Sequence, residues 1–144
     1  MQRPGVRWIP AATALGALVV LGGATPAQGS TTKFGHVSSP DGVMRPDCHR
    51  HRYHYVAKPR SNDWILETWL HDPRGKPRGS GDFAAGSDPR RGRASFGICR
   101  TAVVPGRFTI KSRLRWYTPG PLPTSPSVQH TRWFRPAHFW LRRP

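Results

Sequence analysis

Cys48-His49-Arg50-His51-Arg52-Tyr53-His54 is the run of side chains in this 144-residue sequence that most invites a chemical reading. On a strand, His49 and His51 point the same way and offer two imidazoles to one ion. Three features oppose a metal site. Arg50 and Arg52 repel a cation, Asp47 is the only adjacent carboxylate, and a cysteine held in a disulfide is no thiolate ligand. The run therefore reads as a solvated, partly aromatic strand entrance, and neither a metal nor another cofactor is expected. Hydrolysis needs paired carboxylates, or a nucleophile beside a base. Asp63 and Glu67 flank Trp64, while Asp82 and Asp88 sit among glycines, and each is explained more simply as a turn residue or an arginine partner. Gly79-Ser80-Gly81 lacks the strand-to-helix setting of a hydrolase elbow. Residues 75–81 lack the Gly-Lys-Ser/Thr ending of a phosphate loop. The chain is read as non-catalytic, and a small secreted hydrolase built on the loop carboxylates is the alternative.

What remains is charge. The sequence carries 23 Lys and Arg against 7 Asp and Glu, a formal net charge of +16. Such an excess favours anionic polymers or surfaces as partners, although a GC-rich coding bias toward arginine competes as its source. From Arg107 to Tyr117 the pattern is strictly alternating. Phe108, Ile110, Ser112, Leu114 and Trp116 face one way; Arg107, Thr109, Lys111, Arg113 and Arg115 face the other. If the apolar set is buried, Arg107, Lys111, Arg113 and Arg115 emerge as one row of cations about 6.5–7 Å apart, a spacing able to follow an anionic polymer. An ordinary solvated face, its arginines offset by Glu67 or Asp72, is the competing reading. Trp69, Trp133 and Trp140 have the ring size to stack on sugars. The nearness of Phe134, Phe139 and Leu141 favours a packed C-terminal strand instead.

These residues have to be positioned by a chain with three parts. Residues 1–27 read as a cleavable signal peptide, with Arg3 and Arg7 ahead of an apolar stretch over 11–23 and Thr25-Pro26-Ala27 at the exit. That stretch is short of the ~20 apolar residues a membrane-spanning helix needs, and no later segment qualifies. Residues 28–46, rich in Gly, Ser, Thr and Pro, are expected to be a flexible lead. Residues 47–144 form the folded domain. Removal of Arg3 and Arg7 with the leader leaves 21 basic and 7 acidic residues, a formal charge of +14. Cys48 and Cys99 are the two cysteines, and in an oxidising compartment they are expected to be bridged. The mature protein is therefore expected to be secreted, with a cell-wall or surface polyanion as its partner rather than nucleic acid.

Short alternating segments supply the fold class. Strands are expected around Tyr53-His54-Tyr55-Val56, over 64–71, 94–99 and 107–117, and at 128–134 and 137–141. Asp72-Pro73-Arg74-Gly75 and Pro105-Gly106 mark turns, and four prolines in residues 118–127 mark a loop. Residues 75–93, glycine-rich and poor in apolar side chains, are expected to be loops around at most one short strand near Asp82-Phe83-Ala84. About six to seven strands without a 3.6-residue period predict an all-β, antiparallel sandwich.

Trp64-Ile65-Leu66-Glu67-Thr68, Asp72-Pro73-Arg74-Gly75, Cys99 and Pro105-Gly106-Arg107-Phe108-Thr109-Ile110 together resemble small secreted actinobacterial proteins with an immunoglobulin-like sandwich. The resemblance spans roughly residues 48–141 and implies fold and compartment, since most of these proteins have no assigned function. The order Cys48, Trp64, Cys99 is similar to that of true immunoglobulin domains. Gly97, however, stands where their tyrosine would precede the second cysteine.

Overall fold

Alternation of bulky and polar residues becomes strand in the computed structural model, which describes residues 33–144. In chain order the strands are β1 (Gly35–Ser38), β2 (Gly42–Val43), β3 (Cys48–Ala57), β4 (Trp64–His71), β5 (Pro77–Ala84), β6 (Arg91–Cys99), β7 (Gly106–Thr118), β8 (Val128–Trp133) and β9 (Ala137–Arg142). The described residues are all-β; no helix among them is long and apolar enough to cross a membrane. The expected signal peptide, residues 1–27, lies outside them.

Strands β1, β3 and β6 form a three-stranded antiparallel sheet. The larger sheet runs β2-β9-β7-β4-β5, with β8 also on β7, and its single parallel pair is β2 with β9. Strand β9 pairs residues 106–110 of β7 and β8 pairs 113–118. Both lie on the edge of β7 opposite β4. Between them the register slips by one residue at 134–136, a bulge at which Phe134 N still donates to Ser112 O at 3.0 Å. The C-terminal segment is thus one long, interrupted neighbour of β7.

The inner faces of the two sheets meet through named contacts. Tyr55 of β3 stacks on Phe83 of β5 at 4.0 Å between ring centroids, and His51 stacks on Phe139 of β9 at 4.3 Å. Thr68 Oγ1 donates to Gly81 O, so the Tyr53 hydroxyl must be the donor to Thr68 Oγ1, at 2.9 Å. Burial of Leu66, Phe108, Ile110, Leu114 and Phe139 completes a core in which the alternation of β4 and β7 faces inward as expected.

Three expectations are corrected. The described residues hold nine strands, not six or seven. Residues 33–46 of the expected flexible lead carry β1 and β2, because β3 and β9 offer free edges to them and because Val37 and Met44 find core sites. Finally, the short strand allowed near Asp82-Phe83-Ala84 is the end of a longer one, β5, which also takes in residues expected to be loop. Its glycines are the reason it was hidden: a Cβ on Gly81 would stand 2.8 Å from the Tyr53 hydroxyl, and one on Gly79 would stand 3.2 Å from Phe96. The facing aromatics fill the space that β5 leaves, so the strand needs no apolar side chains there.

Cys48 and Cys99 are bridged, as expected. They are register partners on β3 and β6, so the bond lies within the small sheet rather than between sheets. Trp64 is at the other end of β3: it pairs with Trp116, which stacks on Phe34, whose carbonyl accepts from Lys58 N.

His51 is enclosed between the sheets, its Nε2 3.1 Å from Pro40 O and 3.0 Å from Ser39 Oγ. Because the Pro40 carbonyl can only accept, Nε2 carries the proton. Burial holds His51 below the ordinary 6.5, and burial also lowers His36 and His138, aided by Lys58 and Arg91 near the first and Arg107 near the second. The unfolded chain therefore binds more protons just below pH 6.5, and stability falls as pH drops. Urea midpoints are expected to decrease from about pH 7.5 to about pH 5, before Glu67 and Asp72, whose carboxyls sit below their ordinary values, begin to lose theirs. A flat profile over that range would contradict the lowered proton affinity of these partly buried histidines.

Candidate functional site

The outward side of the larger sheet is where β7 places its charged set. Register fixes the neighbours: Glu67 of β4 and Trp133 of β8 lie opposite Arg113, Trp69 lies opposite Lys111, and Trp140 of β9 lies opposite Arg107. Arg107, Lys111, Arg113 and Arg115 do share this face, but their charges are not equivalent.

Arg113 is engaged on every side. Its Nε and Nη2 donate to the two oxygens of Glu67 at 2.8 and 3.0 Å, a bidentate pair. Its guanidinium carbon also lies 5.4 Å from the Trp69 ring centre and 5.3 Å from that of Trp133, a cation–π geometry. Arg115 Nε donates to Glu67 Oε2 at 3.1 Å. The Arg113 bond, with both positive charges, draws the Glu67 carboxyl below its ordinary value despite its partial burial. One carboxylate thus serves two arginines, and the uniform row expected from sequence is broken at its Arg113–Arg115 end.

Arg107 and Lys111 are different: no carboxylate among the described residues pairs with either. They line a cleft of about 440 Å³ together with His71, Asp72, Thr109 and Trp140. Trp140 is 48% exposed there, and the His71 Nδ1 has no hydrogen-bond partner among the described residues. Gly106 has a φ of 149°, in the region that favours glycine, and a Cβ on it would press on Pro73 at 2.9 Å; the cleft wall depends on that close approach.

Asp72 would be expected to repel an anion from this cleft. Its side chain is fully buried, however, and its oxygens accept from Arg74 N, Lys76 N and Arg78 Nε. Burial alone would raise its carboxyl, but the Arg78 bond and the two backbone N–H groups outweigh it and hold the group below the ordinary value. Its charge is satisfied inside the turn.

The tryptophans depart from expectation. The C-terminal strand does pack, but through Phe134, Phe139 and Leu141, while Trp133 and Trp140 stand 58% and 48% exposed on the outward face. Strand parity explains it: Trp140 alternates with Phe139 and Leu141, and the bulge at 134–136 puts Trp133 on the same outward face as Trp140.

The other candidates are dispersed. Asp63, Glu67, Asp82 and Asp88 line neither this cleft nor the hollows beside Cys99 and beside Arg52. His49 and His51 both point into the sandwich, and among the described residues no group of three or more His, Cys, Asp or Glu is placed to hold a metal. Sequence reading missed a further basic surface, the outward face shared by Arg50 and Arg52 of β3 with Arg91 and Arg93 of β6, on which Arg52 and Arg93 are diagonal neighbours. Its signal was the arginine at every second position in both segments. No known protein family, curated protein or solved structure matches this chain.

Proposed function

We propose that this protein is a secreted, non-catalytic binding module for an anionic polymer of the cell wall or surface, built on an immunoglobulin-like sandwich. The observation that carries the reading is the pairing of two cations that no carboxylate among the described residues pairs with, Arg107 and Lys111, with the half-exposed Trp140 in one cleft. Cations attract the acidic groups of a polymer, and an indole ring covers the apolar face of a sugar between them. Placement on a sheet gives the site a rigid base, so little ordering accompanies binding. Export is supported by the signal-like residues 1–27 and by the Cys48–Cys99 bridge, since such bonds persist in oxidising compartments. The two packed sheets support the sandwich, whose bridge differs from the inter-sheet bond of antibody domains.

The test is binding of mature protein to immobilised polygalacturonate, with uncharged dextran as control. Affinity for polygalacturonate is expected to fall steeply between about 50 and 500 mM salt, because each cation–anion contact releases counterions. Equal binding to dextran, or binding that ignores salt, would sink the proposal.

A further inference from the structure

The opposite surface of the molecule, the outer face of the three-stranded sheet, holds a second site with different chemistry. Strand β3 turns Arg50, Arg52 and His54 outward, and β6 sets Gly97, Ser95 and Arg93 against them in register; Arg91 follows beside Val56. No carboxylate lies at any outward position of these two strands, and none among the described residues pairs with the four arginines. The field is felt one strand away, where after burial Lys58 and Arg91 lower the proton affinity of His36.

Within this face Arg52, Arg93, Ala94 and Ser95 line a shallow hollow of about 350 Å³. Arg52 and Arg93 are diagonal neighbours on adjacent strands, about 7–8 Å apart at the backbone, so two exposed guanidinium groups can converge on one anion. Ser95 is oriented by a third arginine. Arg50 Nε donates to Ser95 Oγ at 2.8 Å, and the hydroxyl's own proton has no acceptor among the described residues. Three side chains that can donate, Arg52, Arg93 and Ser95, thus line the hollow.

We propose that this hollow is a phosphate site, in which Arg52 and Arg93 hold the anion's oxygens through their guanidinium forks and the Ser95 hydroxyl donates a third bond. Three convergent donor groups suit a tetrahedral anion with several acceptor oxygens better than a planar carboxylate with two. The outward positions of β3 and β6 carry no phenyl or indole ring, so nothing there stacks on a sugar, in contrast to the cleft at Trp140. Arg50 and Arg91 extend the positive charge along both strands, which fits phosphate groups carried in series on a linear polymer rather than a single small ion.

The test compares mature wild-type protein with R52S/R93S, R52K/R93K and S95A, using inorganic polyphosphate of defined length as the phosphate probe and polygalacturonate as the carboxylate probe. R52S/R93S is expected to bind polyphosphate at least about tenfold more weakly, with the slope of log affinity against log salt reduced by about 1.5. R52K/R93K retains the charge but loses the fork, and S95A loses one donor; each is expected to cost about threefold. Binding of polygalacturonate at the opposite face should change less than about twofold in all three variants. Unchanged thermal midpoints would place the losses in binding rather than folding. Polyphosphate affinity within about twofold of wild type in R52S/R93S, or full affinity in R52K/R93K, would overturn the proposal. Failure of wild type to bind polygalacturonate would count against the Trp140 cleft alone and leave the polyphosphate comparison readable.

Discussion

Replacing Phe139 by alanine is expected to lower stability by about 3–5 kcal/mol, the range for removing a buried aromatic ring. Phe139 is fully buried and stands where the two sheets meet, stacked on Phe108 of its own sheet at 5.3 Å and on His51 of the other at 4.3 Å. Its removal leaves a void with rings on both sides. The segment carrying Ser39 and Pro40 is tied to the same place through His51, so it can close the gap only by giving up those bonds. In urea the midpoint should fall while the dependence on denaturant keeps its slope. A loss below about 1 kcal/mol would mean that the sheets are not joined through this ring.

Breaking the Cys48–Cys99 bond is expected to be nearly as costly. The cysteines are 51 residues apart, for which loop closure in the unfolded chain amounts to about 4 kcal/mol. Against the ~5–15 kcal/mol total of a domain this size, the reduced protein should be close to its unfolding threshold. The bond also fixes the Cys48 end of the β3–β6 ladder, where Arg100 N donates to Asp47 O at 3.1 Å just beyond it. Thermal unfolding with and without reductant checks the effect, and the C48S/C99S variant should match the reduced protein. Denatured, unreduced mature protein should offer no thiol to an alkylating reagent. Two alkylated thiols, or an unchanged midpoint on reduction, would contradict the bridge.

Strands β4 and β7 were legible because each has one face in the core and the other in solvent, and Leu66 or Phe108 against Glu67 or Arg107 records that directly. Strand β5 was not. Its inner positions at Gly79 and Gly81 are occupied by side chains from elsewhere, so the apolar signal belongs to Tyr53 and Phe96, far off in sequence. The same holds for β1 and β2, whose Gly and Ser residues become strand only because a partner edge is available. Nearness in sequence to Phe134, Phe139 and Leu141 does not predict the surroundings of Trp133 and Trp140, because parity and a bulge set the two groups on opposite faces.

The site was legible in part for a related reason. Alternation along β7 tells which residues share a face, but whether their charges remain available depends on the strands beside it. Glu67 lies opposite Arg113 only through the β4–β7 register, which no local pattern in either strand contains. Arg52 becomes the diagonal neighbour of Arg93 by the same route, across a ladder that joins parts of the chain far apart in sequence, Cys48 to Cys99 at one end and Val56 to Arg91 at the other.

The central claim is that carboxylate polymers are held at the Arg107–Lys111–Trp140 cleft rather than by Arg113 and Arg115, which Glu67 engages. It is tested most directly by measuring polygalacturonate affinity at low salt for R107S/K111S beside E67Q/R113S, a variant that removes one charge of each sign. The first is expected to bind at least about tenfold more weakly than wild type and the second to stay within about twofold. Wild-type affinity in R107S/K111S, or an equal loss in both variants, would contradict the account.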